Sequence, residues 1–187
     1  ANDLNGVLET GSSSVDQAGY SVSLSGDGNI VAVGAPGRSL QTGTVRVYEY
    51  NQILDVWSQL GQNIAGDCNG DTCDATGQQS GYSVDLTSDG NTVAIGSIGN
   101  DDEATNGGKV RVYEYDGCTW KKVCADHYTC MSDLYGESVS DQIGTSVSIQ
   151  GSGTDIKIAY GASSNGPGTA GVFNFTSFTN NTIDRQE

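Results

Sequence analysis

Asp67-Cys68-Asn69-Gly70-Asp71-Thr72-Cys73-Asp74 is the stretch whose residue types and spacing best suit chemistry. Asp67, Asn69 and Asp71 carry oxygens at alternate positions, the opening of a loop that wraps calcium. The glycine at the sixth position and the closing glutamate of such a loop are missing. A polar turn pinned by a Cys68–Cys73 disulfide accounts for the same residues without a metal. Further on, Cys118, Cys124, His127 and Cys130 offer thiolates and an imidazole, donors that zinc accepts. Their spacing, C-x5-C-x2-H-x2-C, matches no common zinc module, and disulfides are the preferred reading. Cys124–Cys130 is the favoured second pair, although spacing alone leaves connectivity open. Cys118 is then the odd thiol, free or available for a bond to another chain.

Ser21, Ser83 and Ser146 invite a test as nucleophiles. Each sits in Gly-x-Ser-Val, which lacks the final glycine of a nucleophile elbow. A residue that recurs at every equivalent position answers to a structural pattern. One histidine, His127, allows a Ser-His-Asp triad only once, and no phosphate-cradling glycine motif is present. The expected protein is not an enzyme; a carboxylate pair acting on glycans is the residual catalytic alternative.

The elements that position these residues are repeats. Gly19-Tyr20-Ser21-Val22 leads to Ile30-Val31-Ala32-Val33-Gly34-Ala35-Pro36, and the phrase returns 62 residues later from Gly81-Tyr82-Ser83-Val84. A third copy starts at Gly144-Thr145-Ser146-Val147 and reaches Ile158-Ala159-Tyr160-Gly161-Ala162. Val45-Arg46-Val47-Tyr48-Glu49-Tyr50 recurs as Val110 to Tyr115 and thins to Gly171-Val172-Phe173-Asn174-Phe175. A fixed period means units that bury their apolar faces against one another.

Each unit reads as a meander of four short strands. The first alternates Ser21, Ser23 with Val22, Leu24. Asp-Gly turns at 26–29 and 88–91 follow, since such turns accept positive φ. The second strand is a continuous apolar run, as in a strand buried on both faces. The third is expected to set Arg and Glu opposite its aromatic and β-branched residues, and the fourth carries Trp57 or Trp120. Tyr20, Tyr48, Tyr50, Tyr82, Tyr113 and Tyr115 recur in register and are expected in core and inter-unit packing. The fold class is therefore all-β, of about three four-stranded antiparallel meanders of propeller-blade type. The boundaries are a last strand of a preceding or partner blade (1–17), repeat 1 (18–66), a Cys/Asp-rich loop (67–80), repeat 2 (81–124), a Cys-containing loop (125–142) and an incomplete repeat 3 (143–187). Leu4 to Glu9 reads as a closing strand that lacks its blade, and repeat 3 lacks a tryptophan strand, so the termini read as complementary half-blades.

The run A-G-Y-S-V…G-D-G…V-A-V-G-A-P resembles the FG-GAP repeat, the blade of integrin α-subunit propellers and of many secreted propellers. The resemblance spans about Leu4 to Phe175, with Ala18, Ser80 or Ile143 in place of the family's leading Phe. It implies calcium loops at Ser23, Ser25, Asp27; at Asp85, Thr87, Asp89; and at Ser148, Gln150, Ser152. Too few carboxylates stand there for a hard cation, so these loops are expected to be plain hairpins.

A net charge of −15 disfavours nucleic acid and anionic membranes, which need basic patches. No stretch approaches the length of a membrane span. Sequons at Asn174 and Asn180, together with the cysteines, point to an extracellular, secreted glycoprotein, present as a mature form, a processed product or a fragment. The expected function is a non-catalytic module for adhesion or structural assembly, through self-association or another extracellular protein, with strand exchange between half-blades as its means. The alternative is a calcium-assisted module that binds a protein or a glycan. Acidic residues Asp101-Asp102-Glu103 read as a solvated face.

Overall fold

A computed structural model of the chain describes residues 16–66, 77–123, 133–152, 155–163, 167–175 and 184–186. These form three antiparallel sheets, one per repeat. The first contains β1 (Ser21–Leu24), β2 (Ile30–Ala35), β3 (Thr44–Asn51) and β4 (Val56–Gln59) in that order, with a four-residue helical turn, α1 (Arg38–Gln41), between β2 and β3. A short strand, β5 (Ile64–Ala65), pairs with the opposite end of β3. The second repeats the plan with β6 (Ser80–Leu86), β7 (Thr92–Ser97), β8 (Lys109–Tyr115) and β9 (Trp120–Lys122), and β10 (Leu134–Tyr135) takes the place of β5. The third runs β11 (Ile143–Ser152), β12 (Asp155–Ala162), β13 (Thr169–Phe175) and β14 (Asp184–Gln186).

The Asp-Gly hairpins form as expected, and their chemistry explains why they hold. Asp27 accepts from Ser25 Oγ at 2.6 Å, from the Asn29 amide at 3.0 Å and from Asn29 Nδ2 at 2.8 Å. Asp89 accepts from Thr87 Oγ1 and the Asn91 amide in the same way. The oxygens read against calcium thus satisfy turn donors.

Pairing register assigns each side chain to a face. Ser21, Gly34 and Val45 are aligned, as are Ser23, Ala32 and Val47, so these share the face that looks toward the following sheet. Val84 and Leu86 on β6 join Ala32, Val45 and Val47 in one buried cluster, with Val93, Ile95 and Trp120. Ile149 on β11 joins Ala94, Val110 and Val112 in a second. β6 packs on β1, β2 and β3, and β11 on β6, β7 and β8. Each aliphatic side chain so buried contributes roughly 1.5–3 kcal/mol. The apolar strand β7, in the middle sheet, is buried along its whole length. β12, its counterpart in the third sheet, alternates between exposed and buried because one of its faces is uncovered.

Three expectations are corrected. The third sheet does possess a fourth strand: β14 pairs with β13 through Asp184, Arg185 and Gln186. Backbone pairing needs no tryptophan, so the β13 edge is already covered and is not left for strand exchange. Arg46 and Arg111 do not face outward opposite the tyrosines. Strict alternation puts Arg46 with Tyr48 and Arg111 with Tyr113, and both arginines are buried. The acidic run is not wholly solvated either, because Asp102 pairs with buried Lys109. The proposed closing strand at Leu4 to Glu9 lies outside the described residues.

Candidate functional site

The serines of the repeated phrase stitch one sheet to the next. Ser21 Oγ donates to the Gly81 carbonyl at 2.8 Å, and Ser83 Oγ donates to the Gly144 carbonyl at 2.7 Å. Gly34 and Gly96 stand at the same junctions because a side chain would not fit. A Cβ on Gly34 would lie 2.2 Å from the Gly81 oxygen, and one on Gly96 would lie 2.1 Å from the Gly144 oxygen. Backbones this close exclude every residue but glycine.

Asp85 joins all three sheets. Its Oδ1 accepts from Ser23 Oγ at 2.7 Å, while its Oδ2 accepts from the Ile149 amide at 2.8 Å and Ser148 Oγ at 3.2 Å. The Leu86 amide returns a bond to Ser23 Oγ at 3.1 Å. Residues considered as scattered calcium ligands, Ser23, Asp85 and Ser148, are therefore brought together, as an inter-sheet clamp in which hydroxyl and amide donors occupy the carboxylate.

Buried charge is concentrated at the opposite edges of the sheets. Asp16 pairs with Arg46 at 3.0 Å and Arg38 at 3.5 Å. Arg111 donates to Ser80 Oγ at 2.6 Å and Tyr113 Oη at 3.0 Å. Lys109 lies between Asp102 and Asp133, 3.0 Å from each, with its ammonium 4.9 Å from the Tyr135 ring centre. Lys122 reaches the same Asp133 oxygen at 2.6 Å. Burial, then the neighbouring Asp133 carboxylate, raises the Tyr135 phenol above its ordinary value. Carboxylates balance Arg46 and Lys109, and neutral oxygens accept from Arg111, as a dry interior demands of buried charge. Among the described residues no group of three or more His, Cys, Asp or Glu side chains is gathered as for a metal.

The tyrosines pack with aromatic partners: Tyr20 on Tyr82 at 4.9 Å, Tyr50 on Trp57 and Tyr115 on Trp120 at 5.2 Å each. Trp120 also ties the second sheet to the segment leaving the first, since its Nε1 donates to the Leu60 carbonyl and its backbone exchanges bonds with Gln62.

Of the residues singled out in sequence, Cys118 is exposed and free in a hairpin tip. Its amide and that of Thr119 donate to Asp116; the Lys121 ammonium first, then these amides, hold that carboxyl well below the usual range. Asn174 lies on β13, between partners on β12 and β14, a strand position where a sequon suggests a loop. Asp67, Asn69, Asp71, Cys68, Cys73, Cys124, Cys130, His127 and Asn180 lie outside the described residues. What sequence reasoning missed is the open surface. Val22 and Leu24 are 63% and 58% exposed, whereas their counterparts Val84 and Leu86 are 7% and 5% exposed. At the other end Val172 is 47% exposed, against 2% for its counterpart Val112.

No family model matches the chain, and no curated protein matches it. Among solved structures, TolB from Acinetobacter baumannii is similar at a TM-score of 0.41 and 10% sequence identity. That likeness covers 88% of this chain and 31% of TolB, so the chain spans less than a third of that protein's length.

Proposed function

We propose that the chain is a secreted, non-catalytic module of propeller type that acts in adhesion or in the structural assembly of an extracellular complex. The observation that carries this reading is the pair of uncovered apolar faces, Val22 and Leu24 at one end and Val172 at the other. Between them, the same kinds of residue are buried at every junction the chain makes within itself. Contiguous apolar surface left open in this way marks an interaction site. The cysteines, the sequons and the acidic surface support an extracellular setting. Two of the three serines tested as nucleophiles, Ser21 and Ser83, are engaged in sheet-to-sheet bonds, which supports a non-catalytic role.

Light scattering under native conditions, with and without reductant, tests the reading. The expected species is heavier than 19.4 kDa, and a loss of mass on reduction that Cys118→Ser abolishes assigns the contact to Cys118. A chain that stays monomeric at every concentration argues against self-assembly. Turnover in a panel of glycosidase and esterase substrates argues against a non-catalytic role.

In the extracellular module so proposed, among the described residues no helix is long and apolar enough to cross a membrane.

A further inference from the structure

We propose that the uncovered faces of the first and third sheets are the two halves of one interface, through which two copies of this chain close head to tail into a ring of six sheets. The inference rests on the assembly reading above and names the partner, a second copy of this chain.

The two internal junctions supply the template. At each, a serine hydroxyl donates to a glycine carbonyl of the next repeat, and a second glycine admits that carbonyl. Ser146 and Gly161 are paired across β11 and β12 as Ser21 and Gly34 are across β1 and β2. They form the donor half of a third junction. The three atoms nearest a Cβ on Gly161 all belong to its own sheet's Ser146, with Oγ at 2.4 Å and the next at 3.7 Å. No backbone of a neighbouring sheet among the described residues therefore requires glycine there.

The acceptor half stands at Gly19. Gly81 and Gly144 face the α-carbons of Gly34 and Gly96, at 3.1 and 2.8 Å from where their own Cβ would lie. Gly19 has the same backbone, with φ of +88° against +86° and +90°, and nothing within 4 Å.

The surrounding surfaces match. On the donor side Ala159, Ala170 and Val172 are exposed at the positions where Ala32, Val45 and Val47 are buried. On the acceptor side Val22 and Leu24 on β1, and Tyr20 just before it, are exposed. Val31 and Val33 behind β1 are already buried, so the open part is the first strand itself. That strand type is the one that seats on the preceding sheet at both internal junctions. Charge agrees as well. Ile30 lies against Gly90 at the first junction; its counterpart Lys157, exposed, comes in the same register to Gly28, beside the carboxylate of Asp27.

Stoichiometry follows from counting. Closed propellers hold about four to eight sheets, and with three sheets among the described residues of each chain a pair of chains falls in that range. Head-to-tail contacts close into rings when the rotation permits and otherwise run into filaments.

The test compares native with denatured, reduced mass by light scattering over a range of concentrations. Wild type, Gly161→Ala, Val172→Glu and Val22→Glu are measured, with folding checked by circular dichroism and urea midpoint on dilute samples. Wild type is expected at a mass ratio of two. Gly161→Ala leaves the dilute-sample midpoint unchanged, because the Ser146 hydroxyl has no partner among the described residues and is free to turn aside. It raises the dimer dissociation constant by at least about 100-fold, because a methyl meets the Gly19 carbonyl of the second copy. Each glutamate variant is monomeric alone, and an equimolar mixture of the two regains a dimer because one of its two junctions is wild type. A wild-type mass that grows without limit, or a dimer untouched by Gly161→Ala and Val172→Glu, overturns the closed ring and leaves the assembly reading standing. A wild type monomeric at every concentration overturns both.

Discussion

Asp85 is a single carboxylate serving three sheets, and this arrangement is open to direct measurement. Asp85→Ala removes the acceptor of Ser23, Ser148 and the Ile149 amide and is expected to lower stability by about 2 kcal/mol, from the worth of hydrogen bonds to a charged group. Ser83→Ala, which loses one bond to Gly144, is expected to cost about 1 kcal/mol. Ser146→Ala has no side-chain bond to lose among the described residues and serves as the control; urea denaturation on dilute samples ranks the three. Asp27 offers a pH test of the hairpin. The Ser25 hydroxyl, then the Asn29 amide, lowers its carboxyl to about 2, below the value of about 3.9 for an unfolded aspartate. Depression in the folded state means that the stabilisation is fully present above about pH 4 and is lost as pH falls through about 2. Urea midpoints across that window should fall less steeply for Asp27→Asn than for wild type.

Elements differ in how they are covered, and amide exchange reads the difference. β7 has a sheet on either side and is buried along its length, so its amides are expected to be the slowest to exchange in the chain. β12 has the same place in its own meander but one open face, and its amides are expected to exchange faster. The second sheet also depends on a buried ion cluster at one end. Lys109→Met removes one of the two ammonium groups at the buried Asp133, which keeps Lys122 and the Tyr135 hydroxyl, and breaking this buried pair is expected to cost about 3 kcal/mol. Thermal denaturation of the variant beside wild type checks it.

At the scale of the whole molecule, three sheets in a row have two ends, and each end here exposes what the interior buries. Coupling of folding to association predicts a melting temperature that rises with protein concentration. Scanning calorimetry over a hundredfold range of concentration is expected to show the rise for wild type and none for Gly161→Ala. A melting temperature independent of concentration in both would count against association through these faces.

Much of the architecture was legible before any coordinates. The 62-residue recurrence, the alternation in β1, the apolar run in β2 and the Asp-Gly turns each follow from local rules of strand pleating and turn sterics, and all three meanders stand where those rules put them. The partners of Ser21, Ser23 and Asp85 were not legible, because hydrogen bonds across roughly sixty residues depend on how sheets stack and not on their neighbours in the chain. For the same reason Asp102, which read as solvated charge, pairs with the buried Lys109. Sequence by itself determined that three similar meanders would form, since each meander is written in its own short-range pattern. Only the tertiary structure decided which faces are covered. Val84 and Val22 occupy the same position of the same phrase, yet one is buried and the other open, because burial depends on whether another sheet lies across it.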